Sequence, residues 1–225
     1  MALVEKMLDM VKVTPKDYII DLGSGDGRNV IAAAKRGANA LGVEYDADMI
    51  ALSRKNAEKE GVADKAKFVQ GDMYEADISK ATALVLFLLP INLEKLTAKF
   101  LELPPGTRIV NNGYKIPGWE EVETGKLGIE CITWCTAYLY LVPAKLAGKW
   151  RLPAGELQFQ QDFQALSGTL TTKDGRALPV RGSVSADRVH FSVGLDTYSG
   201  RVQGKQMSGQ ASGSRSGYWK AAKLD

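Results

Sequence analysis

Residues 21 to 27, Asp-Leu-Gly-Ser-Gly-Asp-Gly, constrain this chain more than any other stretch. The apolar run Tyr18-Ile19-Ile20 precedes them. Residues 28 to 36 follow, with Val30, Ile31, Ala32, Ala33 and Ala34 giving a composition suited to a packed helix. Strand, glycine turn and helix in that order present backbone N–H groups and the positive end of a helix dipole to a ligand, and the glycines let it approach the main chain. A glycine inside a strand or helix costs roughly 0.5–1 kcal/mol relative to alanine. Three at alternate positions, Gly23, Gly25 and Gly27, therefore point to a backbone geometry that is used. The spacing excludes the dinucleotide pattern G-x-G-x-x-G, because its last position falls on Arg28 when counted from Gly23 and on Val30 when counted from Gly25.

The pattern D-x-G-x-G-x-G resembles instead the loop of class I S-adenosylmethionine (SAM) methyltransferases, which wraps the amino-acid end of the cofactor. On that resemblance Asp21, Gly23, Ser24, Gly25 and Gly27 hold SAM. Residues 39 to 44, NALGVE, read as the second strand and end in Glu44, 23 residues after Asp21. That is the distance at which an α/β nucleotide site places a carboxylate on the ribose hydroxyls. Tyr45 adjoins it, and Asp46 can cap a helix running to Gly61. Residues 67 to 70 form a short third strand. Asp72 and Met73 follow, where SAM enzymes place an acid on the adenine amino group and an apolar residue against the ring.

Residues 83 to 89, ALVLFLL, read as a central parallel strand covered on both faces. They end at Leu89, Pro90 and Asn92, where the reacting group is expected, since ligands in open α/β sheets gather at the carboxyl ends of strands. Residues 93 to 103 suggest a helix and residues 107 to 112 a fifth strand, which brings Asn111, Asn112 and Tyr114 to the same rim. A polar connection containing Trp119 leads to residues 129 to 134 and 136 to 142, expected to form an antiparallel hairpin. Residues 3 to 11 have helical spacing and should pack under the sheet. Residues 1 to 145 are thus expected to be α/β, a Rossmann-like doubly wound seven-strand sheet with an antiparallel hairpin at its edge.

Beyond residue 145 the character changes. The stretch from 146 to 225 is rich in Gly, Ser and Gln, with short alternating runs in which Leu157, Phe159 and Phe163 share one face, as do Val189, Phe191 and Val193. Lys173-Asp174-Gly175-Arg176 is a hairpin signal, and His190 falls on a polar face. Seven or eight strands fit, which predicts a small all-β C-terminal barrel or sandwich.

The net charge of +3 conceals −2 for residues 1 to 145 and +5 for residues 146 to 225, but no Lys/Arg cluster gives a strong nucleic-acid signal. No apolar run reaches the ~20 residues needed to span a bilayer. The N-terminus has no signal-peptide pattern, so a cytoplasmic location is expected. Cys131 and Cys135, four apart in the expected strand, should be buried free thiols, and with neither a CxxC pair nor His-Cys clustering no metal site is expected.

The segments DLGSGDGR, GDMYEADISKAT, FLLP, LPPGTRIV and KIPGW resemble the small seven-strand protein-lysine methyltransferases of archaea and their relatives that modify the c-subunit of the mitochondrial ATP synthase. The likeness runs from about residue 8 to 142. It departs in two places: the family's segment before the first helix, which helps to close over SAM, is not represented, and Asn111-Asn112-Gly113 stands where a more acidic, histidine-containing run is expected. The resemblance implies SAM-dependent methylation of a protein lysine, releasing S-adenosylhomocysteine, with Leu89 beside the cofactor and Asn92, Asn111 and Tyr114 as catalytic candidates. The alternatives are a small-molecule O-, N- or S-methyltransferase and a non-catalytic SAM-binding module. The β domain is a candidate surface for self-association.

Overall fold

The computed structural model describes residues 1–128, 130–214 and 216–224. Two compact units divide the chain, Met1–Val142 and Pro143–Asp225.

In the first unit, runs of buried aliphatic residues become parallel strands because helices on both sides keep them from water. The elements are α1 (Ala2–Met10), β1 (Tyr18–Leu22), α2 (Arg28–Lys35), β2 (Asn39–Glu44), α3 (Ala47–Lys59), β3 (Ala66–Gln70), β4 (Ala83–Leu86), α4 (Pro90–Leu101), β5 (Arg108–Asn112), β6 (Glu123–Lys126) and β7 (Thr136–Leu141). They build a seven-stranded sheet in the order β3-β2-β1-β4-β5-β7-β6, in which β1 to β5 run parallel and β7 and β6 antiparallel. Ile19, Ala83, Val85 and Val110 join one core with α1, α2 and α3. The alternate positions Ile20, Leu84, Leu86 and Ile109 are equally buried on the other face, and α4 brings its own buried stripe of Leu93, Leu96 and Phe100. Chain order reverses between β1 and β4, so the carboxyl ends of these strands form the crevice where such sheets bind ligands.

A polar staple holds the opposite end of the sheet. Asp17 accepts from Thr14 N and Oγ1, from Thr82 Oγ1 at 2.7 Å and from the Arg108 guanidinium. Burial pushes the Asp17 carboxyl up, but these bonds outweigh it and bring its pKa down to about 2.

Three expectations for the first unit need correction. The residue 83–89 strand stops at Leu86, because Pro90 takes the first position of α4 and Leu89 caps it, leaving Phe87 and Leu89 half exposed. The partner of β7 is Glu123–Lys126 rather than residues 129–134, of which Ile129 lies outside the described residues. Cys131 and Cys135 lie in the loop before β7, where the chain doubles back and brings their Cα atoms to 5.7 Å, and they are joined in a disulfide.

The second unit is a closed antiparallel barrel, not a sandwich. Its strands are β8 (Gly148–Leu152), β9 (Gly155–Asp162), β10 (Ala165–Thr172), β11 (Ala177–Ser185), β12 (Arg188–Val193), β13 (Asp196–Gln203), β14 (Gln206–Ser212) and β15 (Gly217–Leu224). Each pairs with the next in sequence, and β15 pairs with β8 to close the ring. Trp150, Leu157, Phe159, Phe191, Tyr198 and Trp219 fill the interior, with Phe191 stacked on Tyr198 at 4.8 Å. Residues 173 to 176 make the expected hairpin turn, and His190 lies exposed against Ser199. Phe163 does not share the face of Leu157 and Phe159, because it sits at φ +48° in the turn after β9. The outer positions of β14, Gln206, Ser208 and Gln210, are polar, unlike the apolar band of a membrane barrel. Among the described residues no helix is long and apolar enough to cross a membrane.

Candidate active site

The glycine turn is held from both sides. Gly23 N and Ser24 N donate to Val43 O at 2.8 and 3.1 Å, and Gly25 N donates to Glu44 Oε2 at 2.8 Å. Gly25 and Gly27 both have left-handed backbones, φ +51° and +81°, but for different reasons. A Cβ on Gly27 would stand 2.6 Å from Phe68 Cζ, whereas one on Gly25 would meet no atom within 4 Å and project into open space. Gly27 is thus a packing requirement at the N-cap of α2, and Gly25 leaves room in front of the turn.

That room belongs to a cavity of about 730 Å³ lined by Asp21, Gly23, Ser24, Gly25, Asn29 and Asn112, together with residues of α1 and the Cys131–Cys135 loop. Asp21 is almost completely buried; its Oδ2 accepts from Asn29 Nδ2 at 3.1 Å, while its Oδ1 has no partner. Ser24 Oγ is also buried and unpartnered. Burial pushes the Asp21 carboxyl well above the usual carboxylate range; the Asn29 hydrogen bond opposes this, and the negative charges of Glu44 and Asp26 add to it. A cationic ligand group against Oδ1 would reverse the cost. These orphaned acceptors, the open face of Gly25 and the N-terminus of α2 fit the ammonium and carboxylate of an amino-acid moiety, which is the fit SAM requires.

Glu44 closes the other side. Its Oε1 accepts from Tyr45 N at 2.8 Å and Asp46 N at 3.1 Å, so three backbone donors fix the carboxylate at the strand end. Asp46 caps α3 by accepting from Asp48 N and Met49 N. Glu44 pairs with Gln70 across β2 and β3, and Gly71 N donates to Glu44 O, which brings Asp72 and Met73 beside it. Asp72 Oδ1 accepts from Tyr74 N, and Tyr45 is exposed. Of the expected cofactor set, the cavity itself takes in Asp21, Gly23, Ser24 and Gly25; Gly27, Glu44, Tyr45, Asp72, Met73 and Leu89 lie outside its lining.

The acceptor candidates are dispersed. Asn92 Oδ1 accepts from Tyr74 Oη at 3.0 Å on the first turn of α4. Asn111 lies beneath the rim, fully buried: its Oδ1 accepts from Leu88 N at 2.9 Å, and its Nδ2 donates to Leu88 O, Asn112 O and Tyr114 O. This carboxamide ties the end of β4 to the end of β5 and is fully occupied in doing so. Tyr114 is half buried, its ring 5.5 Å from that of Trp134.

Two features escaped sequence reasoning. Asn112 Oδ1 is buried, unpartnered and on the cavity wall. Trp134, from the disulfide loop, sits edge-on to Phe87 with centroids 4.9 Å apart. The apolar run ending in Trp134 resembles a strand, and only the tertiary fold turns it toward the cavity.

A family model described as the ANTKMT methyltransferase domain matches residues 21–123. The chain is 41% identical over 147 residues to a protein-lysine N-methyltransferase of Saccharolobus islandicus, covering 62% of this chain and 88% of that protein. It is 31% identical over 163 residues to the human lysine N-methyltransferase of the ATP synthase c-subunit, an alignment spanning 72% of this chain and 67% of that one. Among solved structures, an RNA methyltransferase from Salinibacter ruber in complex with S-adenosylhomocysteine is 40% identical with a TM-score of 0.60, covering 64% of this chain and 93% of that one.

Proposed function

Since this chain belongs, through its first unit, to the SAM-dependent protein-lysine methyltransferase family, we propose that its own acceptor is the ε-amine of a lysine in a protein. The observation that carries the reading is the cradle, in which the unpartnered Asp21 Oδ1 and the open face of Gly25 belong to residues lining one cavity, in a chain 41% identical to a lysine methyltransferase.

When bound, SAM supplies a methyl group activated by its sulfonium. The protein's task is then to align and to dehydrate. Asp21 and Ser24 meet the amino-acid end, and Glu44, fixed by three N–H donors, meets the ribose. Asp72 and Met73, which follow β3, are assigned to the adenine ring on the family resemblance. Positioning of this kind can supply ~7–11 kcal/mol of barrier lowering. A lysine arrives mainly as ammonium and must shed a proton, which the apolar rim of Phe87 and Leu89 promotes by disfavouring the charged form. Asn111 fixes the Leu88 backbone beneath that rim.

The test is transfer of labelled methyl from SAM into a cell lysate, followed by hydrolysis and separation of protein, RNA and small molecules. Label in Nε-methyl-lysine is expected. A second reading, an RNA acceptor, is favoured by the 40% identity to the Salinibacter ruber RNA methyltransferase and would be supported by label confined to RNA; label confined to small molecules would overturn both. Cytoplasmic location and self-association through the barrel belong to the same reading, checked by fractionation and by mass in solution.

A further inference from the structure

Asn111 and Asn112 are consecutive at the end of β5, so their side chains leave opposite faces of the sheet. Asn111 is used up in binding the Leu88 backbone, but Asn112 Oδ1 is buried with no donor, on the wall of the cavity that also holds Asp21, Ser24 and Gly25. A buried acceptor without a donor costs ~1–3 kcal/mol, and a donor that arrives with a ligand removes that cost.

An aromatic wall stands beside it. The Trp134 ring lies 4.9 Å from Phe87 and 5.5 Å from Tyr114, yet Trp134 and Phe87 remain 47% and 44% exposed, so ring surface is available. Trp134 adopts φ +56°, an unusual backbone for a bulky residue, within the loop tied by Cys131 and Cys135. Gly113 makes room for it, since a Cβ there would stand 2.8 Å from Trp134 Cε3. Backbone strain of this kind clusters at active sites and ligand clamps.

We propose that Asn112 Oδ1 accepts a hydrogen bond from the incoming amine, while Phe87 and Trp134 wall the methylene stem of the acceptor and, after transfer, its methylammonium group. The inference rests on the lysine reading above. A carboxamide suits the step better than a carboxylate would. It orients an N–H without the full negative charge that would hold the amine in its ammonium form. The amine first gives one proton to solvent. Its lone pair then forms the new N–C bond as the C–S bond breaks and its electron pair stays on sulfur, leaving a methylammonium that the aromatic faces favour.

The experiment uses the full chain, with wild type, N112L, N112D and W134F compared. S-adenosylhomocysteine affinity by calorimetry should stay within about twofold of wild type in all three variants, which separates acceptor from cofactor roles. N112L should lose about tenfold or more in kcat/KM for the acceptor protein identified by labelling. N112D should retain the fold and move the pH–rate profile to the alkaline side by about one unit, because the new carboxylate stabilises the ammonium. Independently of turnover, Nε-trimethyl-lysine amide should quench tryptophan fluorescence in wild type and not in W134F, since Trp119, Trp150 and Trp219 are buried. An unmoved pH profile in N112D, a tenfold loss of S-adenosylhomocysteine affinity in N112L, or quenching retained in W134F would overturn the inference while wild type still methylates lysine. A wild type that puts no label into lysine removes the reading beneath it as well.

Discussion

Two of the three left-handed glycines of the cradle, Gly25 and Gly27, should fail in different ways when each is given a methyl group. In Gly27→Ala the new Cβ meets Phe68 Cζ at 2.6 Å and Ser53 Cβ at 2.9 Å, between packed elements that cannot easily yield. Overpacking of that kind costs ~1–3 kcal/mol and the left-handed backbone a further ~1–2 kcal/mol for a residue with a Cβ. The sum is about 3 kcal/mol, which for a unit of this size lowers the melting temperature by roughly 6–12 °C. Gly25→Ala carries only the backbone cost, about 1 kcal/mol and roughly 2–4 °C, because its methyl enters open space. That space is where the cofactor is to lie, so Gly25→Ala should lose at least about tenfold in S-adenosylhomocysteine affinity, which corresponds to ~1.4 kcal/mol of displaced contact. Thermal melts without ligand and calorimetry with S-adenosylhomocysteine read the two quantities separately. Wild-type binding by Gly25→Ala, or wild-type melting of Gly27→Ala, would refute these separate roles.

Asp21→Asn should raise the melting temperature of the ligand-free protein at neutral pH while abolishing S-adenosylhomocysteine binding. A buried carboxyl with its pKa raised loses stability as pH rises above the ordinary carboxylate value, and the amide escapes that loss. Asp17 works in the opposite sense: its lowered pKa contributes about 2 kcal/mol that is present above pH 3.8 and lost as pH falls toward about 2. Melts of wild type between pH 5 and 2 should show that loss, and Asp17→Asn should start without the contribution. Asn111→Ala should destabilise by about 2–3 kcal/mol, since it strands the Leu88 N–H in a fully buried place. It should also lower kcat, and a variant with native stability would remove Asn111 from its positioning role.

The glycine turn and the elements around it were readable because short-range chemistry dictates them. Alternating glycines after an apolar run force the turn, NALGVE carries the bounds of β2, and Asp46 caps α3 where a capping residue was expected. The acceptor half was not, because single-residue choices decide it. Whether Asn111 or Asn112 faces the cavity depends on which face of β5 packs against α1, and adjacent residues answer oppositely. Strand β6, Glu-Thr-Gly-Lys, has almost no apolar signal and forms at the sheet edge through backbone pairing with β7. The apolar residues before β7 read as that strand, yet they belong to a loop whose Trp134 serves the cavity wall. Phe87 likewise reads as part of a covered strand, although the chain has already left the sheet at Leu86.

The barrel closes by pairing its last strand with its first, Leu224 opposite Lys149 and Ala222 opposite Arg151. Entry and exit of this stretch of chain therefore lie about one strand spacing, ~5 Å, apart. A body with neighbouring ends can be spliced into a surface loop of another protein, or reopened at any of its hairpins after its ends are joined, without crossing its own interior. In its geometry, then, the second unit is a portable cassette.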